Sequence, residues 1–219
     1  MHKSIRLVLA SLALLGLSAC VAPPQKKDFS AIREDHPRSI VIVPVTNSST
    51  QVDAPDNFLV TLPVPLAEKG YYVFPVHMVK RVMEDEGLAD ADLVHSADAT
   101  KVAGLFGADA VLFASIQQWD SRYVLLATTT TVDIAYTLKS GKTGETIWQD
   151  NVQMAYSPQA QNTGGHPLAF LITQLVVAAI ERAAPSYLPL ANQANSIAFY
   201  AEGHGIPSGP YDPQFGKDY

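Results

Sequence analysis

The sequence predicts a single α/β domain built on a mixed, partly antiparallel sheet flanked by helices. Three observations carry that prediction. Short β-branched or aromatic runs (39–45, 71–74 and 110–116) alternate with segments of helical periodicity, as buried strands joined by helices do. The tract Arg122–Leu138 alternates, with Val124, Leu126, Val132, Ile134, Tyr136 and Leu138 on one parity and Thr129, Thr131, Asp133 and Thr137 on the other. That period of two describes a strand with one core face and one wet face. Finally, SGKTGE (140–145) supplies a turn with two glycines before a further strand, Thr146–Tyr156, which makes a hairpin.

The chain opens MHKSIRLVLASLALLGLSAC. Lys3 and Arg6 precede an apolar run from Leu7 to Leu17, too short to span a bilayer but suited to a signal peptide. Leu17-Ser18-Ala19-Cys20 matches the lipobox of bacterial lipoproteins, so residues 1–19 are expected to be removed and Cys20 to carry acyl chains. Cys20 is the single cysteine of the chain, and an exported protein has little other use for one unpaired thiol. Each buried methylene contributes about 0.8 kcal/mol, so one chain holds weakly and two or three hold firmly. Val21 replaces the aspartate that retains lipoproteins in the inner membrane of enteric bacteria. The expected location is therefore the outer membrane, on the periplasmic side rather than the cell surface.

Removing the signal leaves 200 residues, with 13 Lys+Arg against 21 Asp+Glu and a net charge of about −8. An acidic chain without a basic run disfavours nucleic acid, and phosphate-rich lipopolysaccharide, as partners. Without a cysteine pair the fold cannot rest on disulfides. No later apolar run reaches the length of a membrane span, so the remainder is expected to be soluble.

Residues 20–38 are read as the lipidated cysteine and a polar tether bearing Pro23 and Pro24, and 39–202 as the domain. SIVIVPV (39–45) is the first strand. Asn57–Lys69 looks helical, but Pro63 and Pro65 should break or kink it, and Gly70 should end it. Tyr71–Phe74 is the second strand, followed by an amphipathic helix, Val76–Glu86, with Val76, Val79, Val82 and Met83 on one face. A helix from Ser96, read as its N-cap, runs through Phe106 to a stop at Gly107. Ala110–Ile116 is the third strand. His166–Ala183 reads as a helix apolar on nearly all sides, either central or shared with a partner, and Leu190–Ala201 as a weaker helix. Residues 203–219, dense in Gly and Pro, read as an irregular arm.

Catalytic signatures are missing: there is no G-x-S-x-G, G-x-x-x-x-G-K-[ST], H-E-x-x-H or C-x-x-C. Gly141-Lys142-Thr143-Gly144 shares residues with the end of a phosphate-binding loop, but it lacks the upstream glycine and lies between strands. His36, His77, His95, His166 and His204 show no metal-gripping spacing, so neither metal nor cofactor is expected. His204, between two glycines, is the most suggestive of them. Glu84, Asp85, Glu86, Asp90 and Asp92 form a solvated acidic helix end rather than two carboxylates facing across a cleft. Trp119, Trp148, Tyr71 and Tyr72 read as core rather than as a ligand platform.

PDNFLVTLPVPLAEKGYYVFPV (55–76), AGLFGADAVLFASIQQW (103–119), LKSGKTGETIW (138–148) and the closing GPYDP (209–213), together with the lipobox, carry a resemblance. Over most of its length the chain resembles a family of bacterial lipoproteins of unknown function that includes a neisserial antigen. More distantly it is similar to the curli secretion channel lipoprotein, to periplasmic activators of peptidoglycan synthases, and to the amino-terminal domain of the Tol propeller protein. The antigen-like family is often encoded beside a curli-channel-like lipoprotein. The resemblance implies a non-enzymatic accessory or scaffolding component of an envelope export or assembly complex, with such a lipoprotein among its partners. Activation of a peptidoglycan synthase is the alternative, and a dispersed hydrolase site the third. A homodimer through the 166–183 helix or the C-terminal arm is a further expectation. The only functional residue the resemblance transfers is Cys20.

Overall fold

The structure is a computed structural model that describes residues 27–124, 127–156 and 188–218. Its frame is a six-stranded mixed sheet: β1 (Ser39–Ile42), β2 (Thr46–Asn47), β3 (Tyr72–Val73), β4 (Ala110–Val124), β5 (Ala127–Ser140) and β6 (Thr146–Tyr156). The order is β3-β1-β4-β5-β6, with β2 continuing the line of β1 against β4. Strands β3, β1, β2 and β4 run parallel, and β4, β5 and β6 antiparallel. Pro44, which has no N–H to donate, stands in the gap between β1 and β2.

Helices α1 (Ser30–Asp35), α2 (Ala54–Leu59), α3 (Pro63–Glu68), α4 (Val76–Asp85), α5 (Ala91–Ser96), α6 (Ala99–Phe106) and α7 (Leu188–Tyr200) cover the sheet. Strand parity sorts them. Ile40, Ile42, Ala110, Leu112, Ala114 and Ile116 face the larger core with Phe29 and Ile32 of the α1 region, Phe58 of α2, Leu66 of α3 and Ala194 and Phe199 of α7. Val41, Val43, Val111 and Phe113 face the opposite way, onto Val79, Met83, Val94 and Val102 of α4–α6. A bulge between Ile116 and Gln118 adds one residue to β4. It shifts the parity, so that Trp119 joins the same face as Ile116 and packs edge-on to Phe58, centroids 6.0 Å apart. Tyr136, Phe199 and Trp148 extend this aromatic cluster, with Tyr136 and Phe199 at 5.4 Å. Such pairs add about 0.5–1.5 kcal/mol each beyond their area burial.

Several boundaries differ from the sequence expectation. The tether range 20–38 overlaps the packed domain: α1 lies inside it, and Phe29 and Ile32 are core residues. An apolar pair spaced by three residues puts one face of this short helix on the sheet, which the polar average of the segment conceals. The expected 57–69 helix is two helices, α2 and α3, with Thr61 between them. Pro63 and Pro65 sit in the first turn of α3, where the missing N–H has no intrahelical acceptor to lose. Ser96 is not an N-cap. It closes α5 by donating to Leu93 O at 2.8 Å, while the Asp98 carboxylate caps α6 by accepting the Thr100 N–H at 2.9 Å. An aspartate at that position adds a favourable charge to the helix dipole.

The tract Arg122–Leu138 is likewise not one strand. β4 ends at Val124 and β5 begins at Ala127, the two paired antiparallel, and positions 125–126 lie outside the described residues. The 140–145 turn is formed as expected, with Ser140 N donating to Glu145 O and Gly144 at φ +77°. The expected helix at 166–183 and His166 lie outside the described residues. The expected 190–201 helix is α7, which starts two residues earlier and buries Leu190, Ala191, Ala194, Asn195, Ala198 and Phe199.

Candidate functional site

Cys20, the single site residue expected from the sequence, precedes the first described residue, Lys27, by seven positions. The geometry nearest to it is therefore that of the entry point. Lys27 Nζ donates to Asp150 Oδ1 of β6 at 2.9 Å and to the His204 carbonyl at 3.3 Å, and lies 4.8 Å from the centroid of the Trp148 ring. Phe29, two residues on, is buried in the core. Where the chain enters the domain, it is thus fastened by charge, by ring and by apolar burial together.

This entry point forms one wall of a cleft of about 450 Å³. Its other lining comes from the end of α7 and the residues that follow it (Phe199–Gly203), from the C-terminal segment (Gly205, Ile206, Lys217, Asp218) and from Lys69. Lys69 donates to Asp218 Oδ2 at 3.1 Å and to Ser208 Oγ at 3.2 Å. Burial works against the Asp218 charge, but the hydrogen bonds from Ser208 and Lys69 outweigh it and hold the carboxyl below its usual range. Its other oxygen has no donor among the described residues. Beside the cleft, Tyr200 donates to Glu68 at 2.6 Å, and burial together with the Glu68 charge pushes that phenol upward.

The C-terminal segment is irregular, and it is locked to the α3–β3 turn. Gly209 N donates to Lys69 O at 2.6 Å, Tyr211 N to Gly70 O at 3.1 Å, and the buried Tyr71 hydroxyl to Pro207 O at 2.7 Å. Gly70 (φ +79°) and Gly209 approach so closely that a Cβ on either would overlap the other segment's backbone. Two of the stretches that carry the family resemblance, EKGYYVF and GPYDP, are therefore the two halves of one lock. Beneath it, Tyr136 donates to Asn195 Oδ1 at 2.9 Å and Asn195 Nδ2 donates to Thr61 Oγ1 at 2.8 Å, a polar relay tying β5, α7 and the α2–α3 link inside the core. Sequence reasoning missed this relay because its members lie 59 and 134 residues apart.

The other residues singled out from sequence are not brought together. His36 caps α1 in the left-handed region beside Phe215, His77 is exposed, and His95 is half-buried with Nε2 3.0 Å from Pro44 O. His204 contributes its carbonyl to Lys27. Among the described residues no group of His, Cys, Asp or Glu could hold a metal ion. Arg81 pairs with Asp85 and Glu84, and Asp90 caps α5, so these acids serve helix ends. Trp119, Trp148 and Tyr71 are core; Tyr72, by contrast, stands on the edge strand half exposed, against Phe74. Lys142 of the 140–145 turn is spent on Asp35 of α1.

Comparison with known proteins gives this architecture its relatives. The chain is 30% identical over 210 residues to the lipoprotein NMB1124/NMB1162 of Neisseria meningitidis serogroup B, covering 93% of this chain and 95% of that one. The crystal structure of lipoprotein GNA1162 from Neisseria meningitidis superposes with a TM-score of 0.54 at 28% identity, covering 68% of this chain and all of the other. A PelC dodecamer from Paraburkholderia phytofirmans aligns at a TM-score of 0.41 and 14% identity over 65% of this chain and 85% of that chain. The family model described as "Putative lipoprotein GNA1162-like" matches residues 27–211, from the entry lysine to the C-terminal lock. The chain belongs to the GNA1162-like lipoprotein family.

Proposed function

We propose that this protein is a non-enzymatic lipoprotein of the outer membrane, held on its periplasmic side by acyl chains on Cys20, whose α/β domain docks on another protein of an envelope export or assembly complex. The observation that carries this reading is the sequence Leu17-Ser18-Ala19-Cys20 placed seven residues ahead of a firmly seated entry point. At about 3.5 Å per extended residue, the tether from Cys20 to Lys27 reaches about 25 Å at most. A domain on so short a leash meets only partners at the membrane surface. Among the described residues, no helix is long and apolar enough to cross a membrane itself.

The chemistry of the cleft supports a docking role over a hydrolytic one. Asp218 is held ionised and hydrogen-bonded, whereas a general acid needs its carboxyl pushed upward. The buried Tyr136–Asn195–Thr61 relay is closed on itself. On the outside, Val60 and Val64 flank the α2–α3 link at 61% and 63% exposure, apolar surface suited to a protein contact.

Two experiments test the reading. Cys20→Ser should move the folded protein out of the membrane fraction; retention there after signal removal would mean that the lipid is not what holds it. Crosslinking in native membranes should recover an envelope protein with the wild type and lose it with Val60→Asp/Val64→Asp. Recovery of no partner with the protein intact and anchored would refute docking.

A further inference from the structure

The sheet has two edges, and they are built differently. β3 is two residues long and is soon followed by Pro75, a short, proline-bounded form that blunts an edge. β6 is 11 residues long. It ends the strand order with β5 on one side, and among the described residues its backbone has no hydrogen-bond partner other than β5. An antiparallel strand directs its N–H and C=O groups alternately to either side, so β6 offers a row of them outward. The sequence TIWQDNVQMAY contains no lysine, arginine or proline to guard that row, and its one acid, Asp150, is engaged by Lys27 at 2.9 Å. The register shift against β5 is confined to the turn end, ahead of Trp148, and the strand is regular from there to Tyr156.

The order of side chains along this edge is self-complementary about Asn151. Gln149, Asn151 and Gln153 are exposed on the wet face and alternate with Trp148, Asp150, Val152 and Met154. In a second strand running antiparallel about a two-fold axis at Asn151, Gln149 stands opposite the partner's Gln153, and Asn151 opposite the partner's Asn151. Each amide both donates and accepts, so these pairs satisfy one another. On the other face Trp148 meets the partner's Met154, ring against thioether, and Asp150 meets the partner's Val152, so no like charges are opposed. A strand from a different protein would need no such symmetry. We infer that β6 is the pairing edge for a second copy of this chain, joining two sheets into one about an axis at Asn151. A two-fold axis normal to the sheet leaves both core faces on the same side. Lys27, seated on Asp150 one residue from that axis, brings the two entry points together there. On the anchored reading above, the paired copies would then face one bilayer; the pairing itself does not depend on the anchor.

The test is cysteine crosslinking of the full chain in detergent, in a Cys20→Ser background that leaves no other thiol. Directly opposed residues have Cα atoms about 4.5–5.5 Å apart, within disulfide range. Asn151→Cys should therefore give a disulfide-linked dimer on mild oxidation. Gln149→Cys and Gln153→Cys should each give little alone, because identical positions then lie about 13 Å apart along the strands, and should crosslink when the two are mixed. Sedimentation velocity of the chain without added cysteines should show a concentration-dependent monomer–dimer equilibrium. Asn151→Lys opposes two ammoniums at the axis and should raise its dissociation constant roughly tenfold. Asn151 is exposed, so a thermal melt should show that variant as folded as the wild type; if it melts early, the crosslinking pattern decides. A monomer at every concentration overturns the inference. A dimer indifferent to Asn151→Lys places the contact on another face and overturns it too, as does equal self-crosslinking at 149, 151 and 153.

Discussion

Gly209 is the most constrained position of the C-terminal lock, and Gly209→Ala measures what the lock is worth. A Cβ there would overlap the Gly70 carbonyl and sit 2.8 Å from Tyr71 Cδ1, so the backbone of one segment has to withdraw. Withdrawal breaks the bonds from Gly209 N to Lys69 O and from Tyr211 N to Gly70 O, and strands the buried Tyr71 hydroxyl that donates to Pro207 O. Two backbone hydrogen bonds at about 1 kcal/mol each, plus about 1–3 kcal/mol for a buried polar group left unpaired, give a loss of about 3–5 kcal/mol. The alanine offsets only about 0.5–1 kcal/mol of this, through the backbone entropy of the unfolded chain. Gly104→Ala is the control: Gly104 lies on the exposed side of α6 with nothing within 4 Å of its Cβ, and should gain about 0.5–1 kcal/mol from helix propensity. Urea unfolding of both variants beside the wild type, with the m-value compared, reads the difference. Gly209→Ala within 0.5 kcal/mol of the wild type, to about the precision of the assay, would refute the view that this segment is structurally locked.

Asn195→Ala should cost about 2–4 kcal/mol, because it strands the Tyr136 hydroxyl inside the core and removes the amide that donates to Thr61, whose hydroxyl keeps its bond to Phe58 O, while Tyr136→Phe should cost less, about 1–3 kcal/mol; equilibrium unfolding ranks them, and the reverse order would argue against the relay. Burial, with the Asp150 charge, pushes the Tyr136 phenol above its ordinary value of 10.0, so it should stay protonated in the folded state above that pH. Stability from this group is present below pH 10 and is lost as the pH rises above it, which a spectrophotometric titration alongside alkaline unfolding will follow. His95 behaves in the opposite sense. Its pKa is lowered from 6.5, first by burial and also by Lys139, against the raising effects of the Pro44 carbonyl and Asp92, while Phe113 packs against its ring. The neutral ring is favoured in the fold, so its contribution is present above pH 6.5 and lost as the pH falls. His95→Gln should flatten stability between about pH 7 and pH 5, and an unchanged slope there would remove His95 as its source.

Local pattern made much of this protein legible. Period-two alternation at 129–138 and the two glycines at 141 and 144 identify the hairpin, since a half-buried strand and a tight turn are each specified by residues near in sequence. The anchor proposed at Cys20 is of a different kind: a motif of the form Leu17-Ser18-Ala19-Cys20 is one that processing enzymes read as an unfolded peptide, so its chemistry needs no fold. Short-range breaks were harder. Asp98 and Ser96 are both good N-caps by composition, yet only Asp98 caps the helix that follows.

What the sequence by itself determined is the α/β class and the order of the main strands and helices, though not the short elements at 30–35, 46–47 and 91–96. Tertiary structure alone decided that Gly209 meets Gly70, that Lys27 meets Asp150, and that Asn195 joins Tyr136 to Thr61. These contacts join positions from 59 to 139 residues apart, and no periodicity in a linear chain encodes a partner at that distance. It also decided the cleft, whose lining comes from the entry segment, Lys69 at the end of α3, the end of α7 and the C-terminal segment. In sequence these walls read as a tether, a turn, a weak helix and an arm. They become one site only because burying Phe29, Leu66, Phe199 and Ile206 in a common core draws the four segments together.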